Sequence, residues 1–184
     1  MKDQSFSVRS ALSEATRAEH EALHVHPLLS RMVEPSLSMA DYRGCLVAQL
    51  SFMSTIEAAR LSVAGAEILS LRPECEALIA DLCCADPVLA RPDWARGPGH
   101  VLGALYVAHG SQFGRKVMAC AVAKALPGAS RKFLSLPSNP QAWRSLLADL
   151  QTYTGDLADL IDGAHAAFAT MARAADHAAE ALVA

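Results

Sequence analysis

Apolar residues recur every three or four positions along nearly the whole chain. The first such stretch extends from about Ser10 to Val25. Its predicted buried stripe contains Leu12, Ala15, Glu19, Ala22 and Leu23. Pro27 ends it, because proline has no N–H group and clashes with the preceding turn. No segment shows the strict alternation of apolar and polar residues that indicates a half-buried strand, so the pattern predicts an all-α protein.

Capping residues mark the helices that follow. The segment LLSRMV predicts a short helix. Ser38 is the predicted N-cap of the next helix, with Asp41 three residues later in a capping box. Pro73 occupies the first turn of PECEALIADLCC, a position that proline favours. Three prolines and two glycines predict a loop over residues 85–99.

The second half of the chain is predicted to contain two long helical regions. Residues 100–126 form a single predicted helix that ends at Pro127 and Gly128. The segment SRKFLSL predicts a short helix, and PSNPQ predicts a turn. A last helical region extends from Gln141 to the end, with a bend near Gly155 or Gly163. Short connections between helices favour a compact helical bundle.

Length and composition agree with this fold class. The chain has 184 residues, which suits one domain, and 52% of them are hydrophobic, which is enough to fill a core. Aromatic residues make up only 5%, while alanine and leucine dominate, and this favours helices over sheets. We therefore expect a single domain over residues 1–184, with residues 1–8 and 175–184 frayed.

Charge and targeting signals narrow the classes of partner. The 16 basic and 19 acidic residues give a net charge of -3 without any basic run, so neither nucleic acid nor an anionic membrane is expected. No apolar run reaches the length of a membrane span, and the first ten residues lack a secretory signal, so we expect a cytoplasmic protein. The five cysteines form no C-x-x-C pair and are predicted to be small buried hydrophobes.

Residues 20–24, HEALH, match the H-E-x-x-H pattern of zinc proteases. On a helix, His20 and His24 lie one turn apart and could share a metal ion, with Glu21 as general base. The continuation supplies no third ligand, and no sheet edge is predicted to bind a peptide substrate. The pattern therefore disfavours a protease.

A second metal hypothesis rests on acid-x-x-His spacing. Glu21 and Asp162 each precede a histidine by three residues, as in di-iron bundles, and Glu57 is a further candidate carboxylate. Such a site needs about six inward-facing ligands. The predicted buried faces carry too few acidic residues to supply them.

Glycines interrupt the helix predicted over residues 100–126. Gly110 and Gly114 lie in its interior, where each costs about 0.5–1 kcal/mol relative to alanine. With Gly103 they fall near one face of the helix. Two interpretations are open: tight packing against another helix, or close approach of a flat ligand to the backbone. A histidine-bearing helix opposite such a face would form a slot for a planar metal complex.

Three segments together resemble the biliverdin-producing haem oxygenases, specifically the bacterial type associated with bacteriophytochromes. They are LSEATRAEH (residues 12–20), ADYRGCLVAQLSFMSTIE with Tyr42 and Glu57, and GALYVAHGSQFGR (residues 103–115). Trp143 and the A-x-x-x-F segment from Ala164 to Phe168 extend the resemblance to the tail. Their order and spacing cover almost the whole chain.

The resemblance implies an enzyme that oxidises haem to biliverdin, CO and ferrous iron with O2 and external electrons. Haem would be both cofactor and substrate, and His20 would be the axial ligand of its iron, with Thr16 nearby. Gly110, Ser111 and Gly114 would form the catalytic face above the ring. A ferredoxin or reductase would supply electrons, and a bacteriophytochrome would accept the biliverdin.

Three features depart from the family pattern. His109 replaces an acid before the Gly-Ser pair, and we expect it to have a structural role facing away from the iron. Arg115 replaces a second glycine and could instead contact a haem propionate. Arg9 is a further candidate for propionate binding, as are the surface cations Arg17, Arg131 and Lys132. These departures leave a second hypothesis: a member that binds haem or another tetrapyrrole without degrading it.

Overall fold

The computed structural model describes residues 7–63, 69–87 and 89–183, and within these ranges it contains helices and no strand. The helices are α1 (Val8–Ala15), α2 (Arg17–His24), α3 (Met39–Ser62), α4 (Arg72–Leu82), α5 (Pro98–Gly110), α6 (Arg115–Ala125), α7 (Pro140–Thr152) and α8 (Leu157–Val183). Two short 3-10 helices, Leu29–Val33 and Ser111–Gly114, complete the described secondary structure. The prediction of an all-α protein is confirmed.

The long helix α8 is the centre of the bundle, because α5 and α3 both pack along it. Two glycines let α5 and α8 touch backbone to backbone. A Cβ atom on Gly103 would lie 1.9 Å from the carbonyl oxygen of Leu160, and one on Gly163 would lie 1.9 Å from that of His100. No side chain fits at either point, so the crossing of these helices depends on glycine.

Local signals in the sequence placed several helix ends correctly. The Ser38 hydroxyl accepts a hydrogen bond from the Asp41 N–H at 3.0 Å, and the Asp41 carboxylate accepts one from the Ser38 N–H. Pro73 lies in the first turn of α4, as predicted. The last helical region is interrupted at residues 153–156, next to Gly155, whereas Gly163 lies inside α8.

Two helices predicted to be continuous are broken. The first divides at Thr16, whose φ of −104° and ψ of 13° leave the helical range while its hydroxyl donates to the Leu12 carbonyl at 2.8 Å. The second changes from α-helix to 3-10 helix over Ser111–Gly114 before α6 begins. A 3-10 stretch inside a helix is a common feature of functional hinges, and this one lies at the predicted catalytic face.

The segment SRKFLSL forms a turn, so the prediction of a short helix there is wrong. The buried carboxylate of Asp81, at the end of α4, accepts hydrogen bonds from the backbone N–H groups of Lys132 and Phe133, each at 2.9 Å. It also accepts one from the Ser130 hydroxyl. Asp81, which is distant in sequence, thus accepts hydrogen bonds from the backbone N–H groups of this segment.

The cysteines follow the prediction only in part. Cys45 and Cys75 are buried, and burial raises the pKa of the Cys45 thiol to about 12. Cys83, Cys84 and Cys120 are exposed, which corrects the expectation that all five are buried hydrophobes.

Several expectations on the extent of the chain fall partly outside the described residues. Residues 1–6, 64–68, 88 and 184 lie outside them. Helix α8 continues to Val183, and the expected fraying of the terminal turns stays a prediction. Among the described helices, none combines the length and the apolar character that a membrane crossing requires.

A buried ion pair inside α3 anchors the start of α4. Arg60 donates two hydrogen bonds to the Glu57 carboxylate, at 2.8 and 2.7 Å. The same carboxylate accepts hydrogen bonds from the Ser70 hydroxyl and the Leu71 N–H. Burial alone would raise the pKa of Glu57, but these hydrogen bonds and the Arg60 charge lower it below its ordinary value of 4.5.

We expect Glu57→Gln to lower the free energy of unfolding by about 3–5 kcal/mol, because it leaves a buried guanidinium without this carboxylate. Since the folded-state pKa of Glu57 is lowered, its contribution is present above pH 4.5 and is lost as the pH falls through the folded value. Urea unfolding at neutral pH measures the change. Glu76→Gln, at an exposed pair with Arg72, is the control and should cost less than about 1 kcal/mol. Equal losses would contradict the assignment.

Candidate functional site

His20 lies on α2, a helix at the edge of the bundle with no fully buried residue. Its ring makes an edge contact with Phe168 of α8, with centroids 6.1 Å apart, and another with His24 at 4.6 Å. The residue is exposed, so one side of the imidazole faces outward while Phe168 covers another.

Two histidine–carboxylate pairs attach this region to α8. Nδ1 of His165 lies 2.6 Å from Oε1 of Glu19, the residue before His20. Just after α2, Nε2 of His26 lies 3.1 Å from the Asp176 carboxylate, while its Nδ1 accepts a hydrogen bond from the Leu28 N–H. These pairs flank His20 along the chain and hold its helix against α8.

The chemistry of the His20 ring suits a metal ligand. Partial burial of the ring and the neighbouring His24 lower the pKa of His20, while Glu21 acts in the opposite direction. The lowered pKa favours the neutral imidazole near pH 7, which is the form that binds a metal. Neither ring nitrogen is hydrogen-bonded to a described residue, so Nε2 is available.

Gly110 and Gly114 differ from the glycines that pack helices together. A Cβ atom on Gly110 would have its closest neighbour at 3.8 Å, a carbon of the Trp143 indole. One on Gly114 would meet only the Met118 methyl, at 3.7 Å. Gly103 thus serves helix packing, whereas a Cβ atom at Gly110 or Gly114 would make only ordinary van der Waals contacts with the described residues. The approach of a flat ligand to Gly110 and Gly114 stays a prediction.

Two hydroxyl groups predicted to lie at the site donate to their own helices. Ser111 donates to the Ala108 carbonyl at 2.7 Å, and Thr16 donates to Leu12. Ser111 is exposed, so its oxygen keeps acceptor capacity toward a ligand or water. Thr16 is buried at the break between α1 and α2, where it shapes the backbone that precedes His20.

Arg115 lies inside the protein. Only 4% of the residue is exposed. Its guanidinium lies 3.4 Å from the Glu74 carboxylate and over the ring of Phe133. The Glu74 carboxylate on α4 thus compensates the charge of Arg115. The buried position of this side chain argues against the contact with a haem propionate that the sequence suggested.

Arg9 is better placed than the other basic candidates. It lies on α1 beside the hydroxyl of Tyr106 on α5, where burial raises the pKa of Tyr106 and the Arg9 charge partly opposes that rise. Arg17 pairs with Glu14 on the surface, and Arg131 donates to backbone carbonyls of its own segment. Arg9 is therefore the cation that we retain for an anionic group at this site.

His109 faces away from the Gly110 backbone, as expected. Its Nε2 lies 3.4 Å from the Leu69 carbonyl oxygen, at the connection between α3 and α4. Burial lowers the pKa of this half-buried histidine, which favours the neutral imidazole. The contact with Leu69 suits the structural role predicted for His109, and its direction relative to a haem iron stays a prediction.

An aromatic cluster covers Gly110, and sequence reasoning assigned it no role. The Trp143 indole stacks on Tyr106, with centroids 5.6 Å apart and an angle of 28°, and meets the edge of Phe113 at 5.4 Å. Three of the chain's ten Phe, Tyr and Trp residues thus gather at one point. The chain has few aromatic residues, so this clustering is notable. It could not be seen in the sequence, because Trp143 is far from the other two along the chain.

The two non-haem metal hypotheses gain no support from the geometry. Glu57 is fully engaged with Arg60, Ser70 and Leu71 in the core of the bundle. Over residues 7–63, 69–87 and 89–183, no three His, Cys, Asp or Glu side chains are grouped to hold a metal ion. The exposed imidazole of His20, with that of His24 beside it, better suits a metal ion whose other ligands are supplied by a cofactor.

Comparisons with known proteins identify the fold. No protein-family model matches the chain, and no curated protein matches it. Haem oxygenase-1 from the cyanobacterium Synechocystis, in complex with haem, superimposes with a TM-score of 0.71 at 12% identity, over 97% of this chain and 95% of that one. The haem oxygenase of Leptospira interrogans gives 0.70 at 18% identity, over 94% and 100%. The chain thus has the all-α, single-domain haem oxygenase fold.

The residues at the site fit a haem group. A histidine whose pKa is lowered and whose Nε2 has no partner among the described residues lies on α2, and two glycines between α5 and α6 leave space that a Cβ atom would fill. Helix α2 packs against α8, and α5 packs against α8 and α7. Helices α2 and α5 share no extended packing interface. Aromatic side chains at Phe168 and Trp143 supply apolar surface for a planar ring.

The two kinds of glycine predict opposite effects on stability. Gly103→Ala should destabilise the protein by about 1–3 kcal/mol or more, because the new methyl group meets backbone at 1.9 Å and the helices must separate. Gly110→Ala should instead stabilise it by about 0.5–1 kcal/mol, since alanine is the better helix former and the methyl group has room. Urea unfolding of both variants measures the difference. Destabilisation by Gly110→Ala equal to that of Gly103→Ala would show that both glycines serve packing.

Proposed function

We propose that the protein is a haem oxygenase that converts haem to biliverdin, CO and ferrous iron with O2 and external electrons. Two features in this fold support the proposal: an exposed His20 whose pKa is lowered, and the glycine backbone at Gly110 and Gly114, where a Cβ atom would meet no close neighbour. One structure of this fold, from Synechocystis, contains haem. When bound, haem supplies the iron that activates O2 and the porphyrin carbon that is oxidised.

The protein's own residues have distinct tasks in this proposal. His20 would hold the iron through Nε2, and Phe168, which contacts the His20 imidazole, would limit the rotation of that ring. Gly110 and Gly114 would leave room for haem beside the backbone, and the Ser111 hydroxyl would accept a hydrogen bond from water. Arg9 and the Tyr106 hydroxyl would hold the haem propionates.

The partners follow from the reaction. Haem degradation consumes electrons that no described residue supplies, so an external donor such as a ferredoxin or reductase is required. Biliverdin leaves as a product, and a bacteriophytochrome is the acceptor that the sequence resemblance implies. We place the reaction in the cytoplasm.

A second candidate function is binding of haem or another tetrapyrrole without degradation. The Trp143 indole lies 3.8 Å from the position of a Gly110 Cβ, and it narrows the face where O2 must reach the iron. His24 also occupies the turn after His20 and presents a second imidazole 4.6 Å away. These features favour retention of a ligand over its turnover.

Haemin titration tests His20 directly. The purified protein should form a one-to-one complex with a Soret band. His20→Ala should lose this complex, whereas His24→Ala, one turn away on the same exposed helix, is the matched control and should keep it. Ascorbate or a ferredoxin system should then replace the Soret band with the spectrum of biliverdin. An intact haem spectrum under reduction would select the carrier function, and the absence of any stoichiometric complex would exclude both.

The two tryptophans report where haem binds. In Trp94→Phe the only tryptophan is Trp143, and in Trp143→Phe the only one is Trp94. We expect haemin to quench the fluorescence of Trp94→Phe more strongly, because Trp143 lies over Gly110. Titration of both variants with haemin gives the comparison. Equal quenching, with a Soret band that still depends on His20, would place the ring away from the aromatic cluster.

A further inference from the structure

A second cavity, of about 550 Å³, lies between α3, α8 and the loop before α5. On α8 its wall is formed by Thr170, Arg173 and His177, which lie about 140–200° around the helix from Phe168. The cavity is therefore on the opposite side of α8 from His20. None of the residues assigned to the haem site lines it.

The charges in this cavity are predominantly positive. Arg96 from the loop and Arg173 from α8 both line it, and neither forms an ion pair with a carboxylate of the described residues. Arg173 donates instead to the Thr170 hydroxyl at 3.3 Å, which orients its guanidinium. His177 also lines the cavity, and among the described residues it forms one long and exposed pair, with Glu180 at 3.6 Å.

This concentration of cations is not a property of the whole surface. The chain has a net charge of -3, and most described arginines outside the cavity bond to a carboxylate or a backbone carbonyl. Among the residues that the structure describes, Asp93 is the one acidic side chain that lines the cavity. Two arginines without a carboxylate partner therefore line the same cavity, and their guanidinium groups are available to bind an anion.

The loop wall of the cavity is folded by its own hydrogen bonds. The Ala95 N–H donates to the Pro92 carbonyl at 3.0 Å, and the Arg96 N–H donates to the Trp94 carbonyl at 2.8 Å. The Arg91 guanidinium closes the same turn by donating to the Ala95 carbonyl. Arg96 is thus presented from an ordered turn, which lowers the entropy cost of holding it at a ligand.

The same wall contains a buried polar group without a partner among the described residues. The indole N–H of Trp94 is buried and has no acceptor among the described residues. A buried donor without a partner costs about 1–3 kcal/mol, so native proteins rarely leave one unless a ligand or water accepts from it. Hydroxyl groups of Ser51 and Thr55 on α3 complete a polar lining.

We propose that this cavity is a binding site for a small organic oxyanion, a phosphate ester or a carboxylate. Arg96 and Arg173 bind the oxyanion from opposite walls, since a guanidinium recognises both groups with paired N–H donors. The α3 hydroxyls and the Trp94 indole contact the rest of the ligand. Because it joins the loop to α8, the bound anion ties the start of α5 to the centre of the bundle.

Calorimetric titration with inorganic phosphate and with succinate, at constant ionic strength in chloride, tests the site. At least one should bind saturably with a Kd no weaker than about 10 mM. Arg96→Gln and Arg173→Gln should each raise that Kd about tenfold or more, because each removes charge-assisted hydrogen bonds. The anion that binds more tightly identifies the ligand class.

Three controls keep the outcome specific. Arg72→Gln, an exposed arginine paired on α4, should leave the Kd unchanged, and so should His20→Ala, because the cavity is separate from the haem site. Unfolding midpoints should match across the variants, since both cavity arginines are exposed. The proposal is overturned if neither anion binds saturably, or if Arg72→Gln weakens binding as much as Arg173→Gln.

Discussion

The crossing of α5 and α8 is the contact on which the rest of the molecule depends. At Gly103 and Gly163 the two backbones approach so closely that one added carbon on either glycine would overlap a carbonyl oxygen. Close packing of this kind has little tolerance, so it fixes where the remainder of α5 leads. Helix α3 packs on another side of α8, and the glycine segment at the site therefore has a defined position relative to the bundle's centre.

Helix α2, which carries His20, is held to the bundle by a different kind of interaction. Helix α2 has no buried residue, and polar pairs on either side of His20 hold it to α8. Partly exposed pairs of this kind contribute little free energy, whereas α5 and α8 are packed closely enough for their backbones to touch. The site thus joins a rigid wall to one whose local stability is low, as is common for elements that admit a ligand.

Buried carboxylates connect segments that the helix contacts alone do not fix. Glu57 holds the start of α4 through Leu71 and Ser70, and Asp81 at the other end of α4 holds the turn at residues 130–133. That turn also carries Phe133, which lies beneath the guanidinium of Arg115. The polar core therefore holds Arg115 in its inward position, between Glu74 and Phe133.

The sequence by itself determined the features that neighbouring residues control. The helical periodicity, the Ser38–Asp41 capping box, the position of Pro73 and the break near Gly155 are each produced within a few residues, where local propensity dominates. The resemblance of residues 12–20 to the haem oxygenases, and not local propensity, pointed to His20. The candidate residues that could be named from the sequence are this histidine and the glycines, and their roles stay predictions.

Only the tertiary structure decided what depends on residues far apart in the chain. Asp81 binds a distant segment that was predicted to be a helix and forms a turn, and Arg115 pairs with Glu74 of another helix. Gly103 and Gly110 look alike in sequence, but Leu160 lies against one and Trp143 against the other. Which atoms meet a given side chain is set by the packing of whole helices, and no local pattern encodes that.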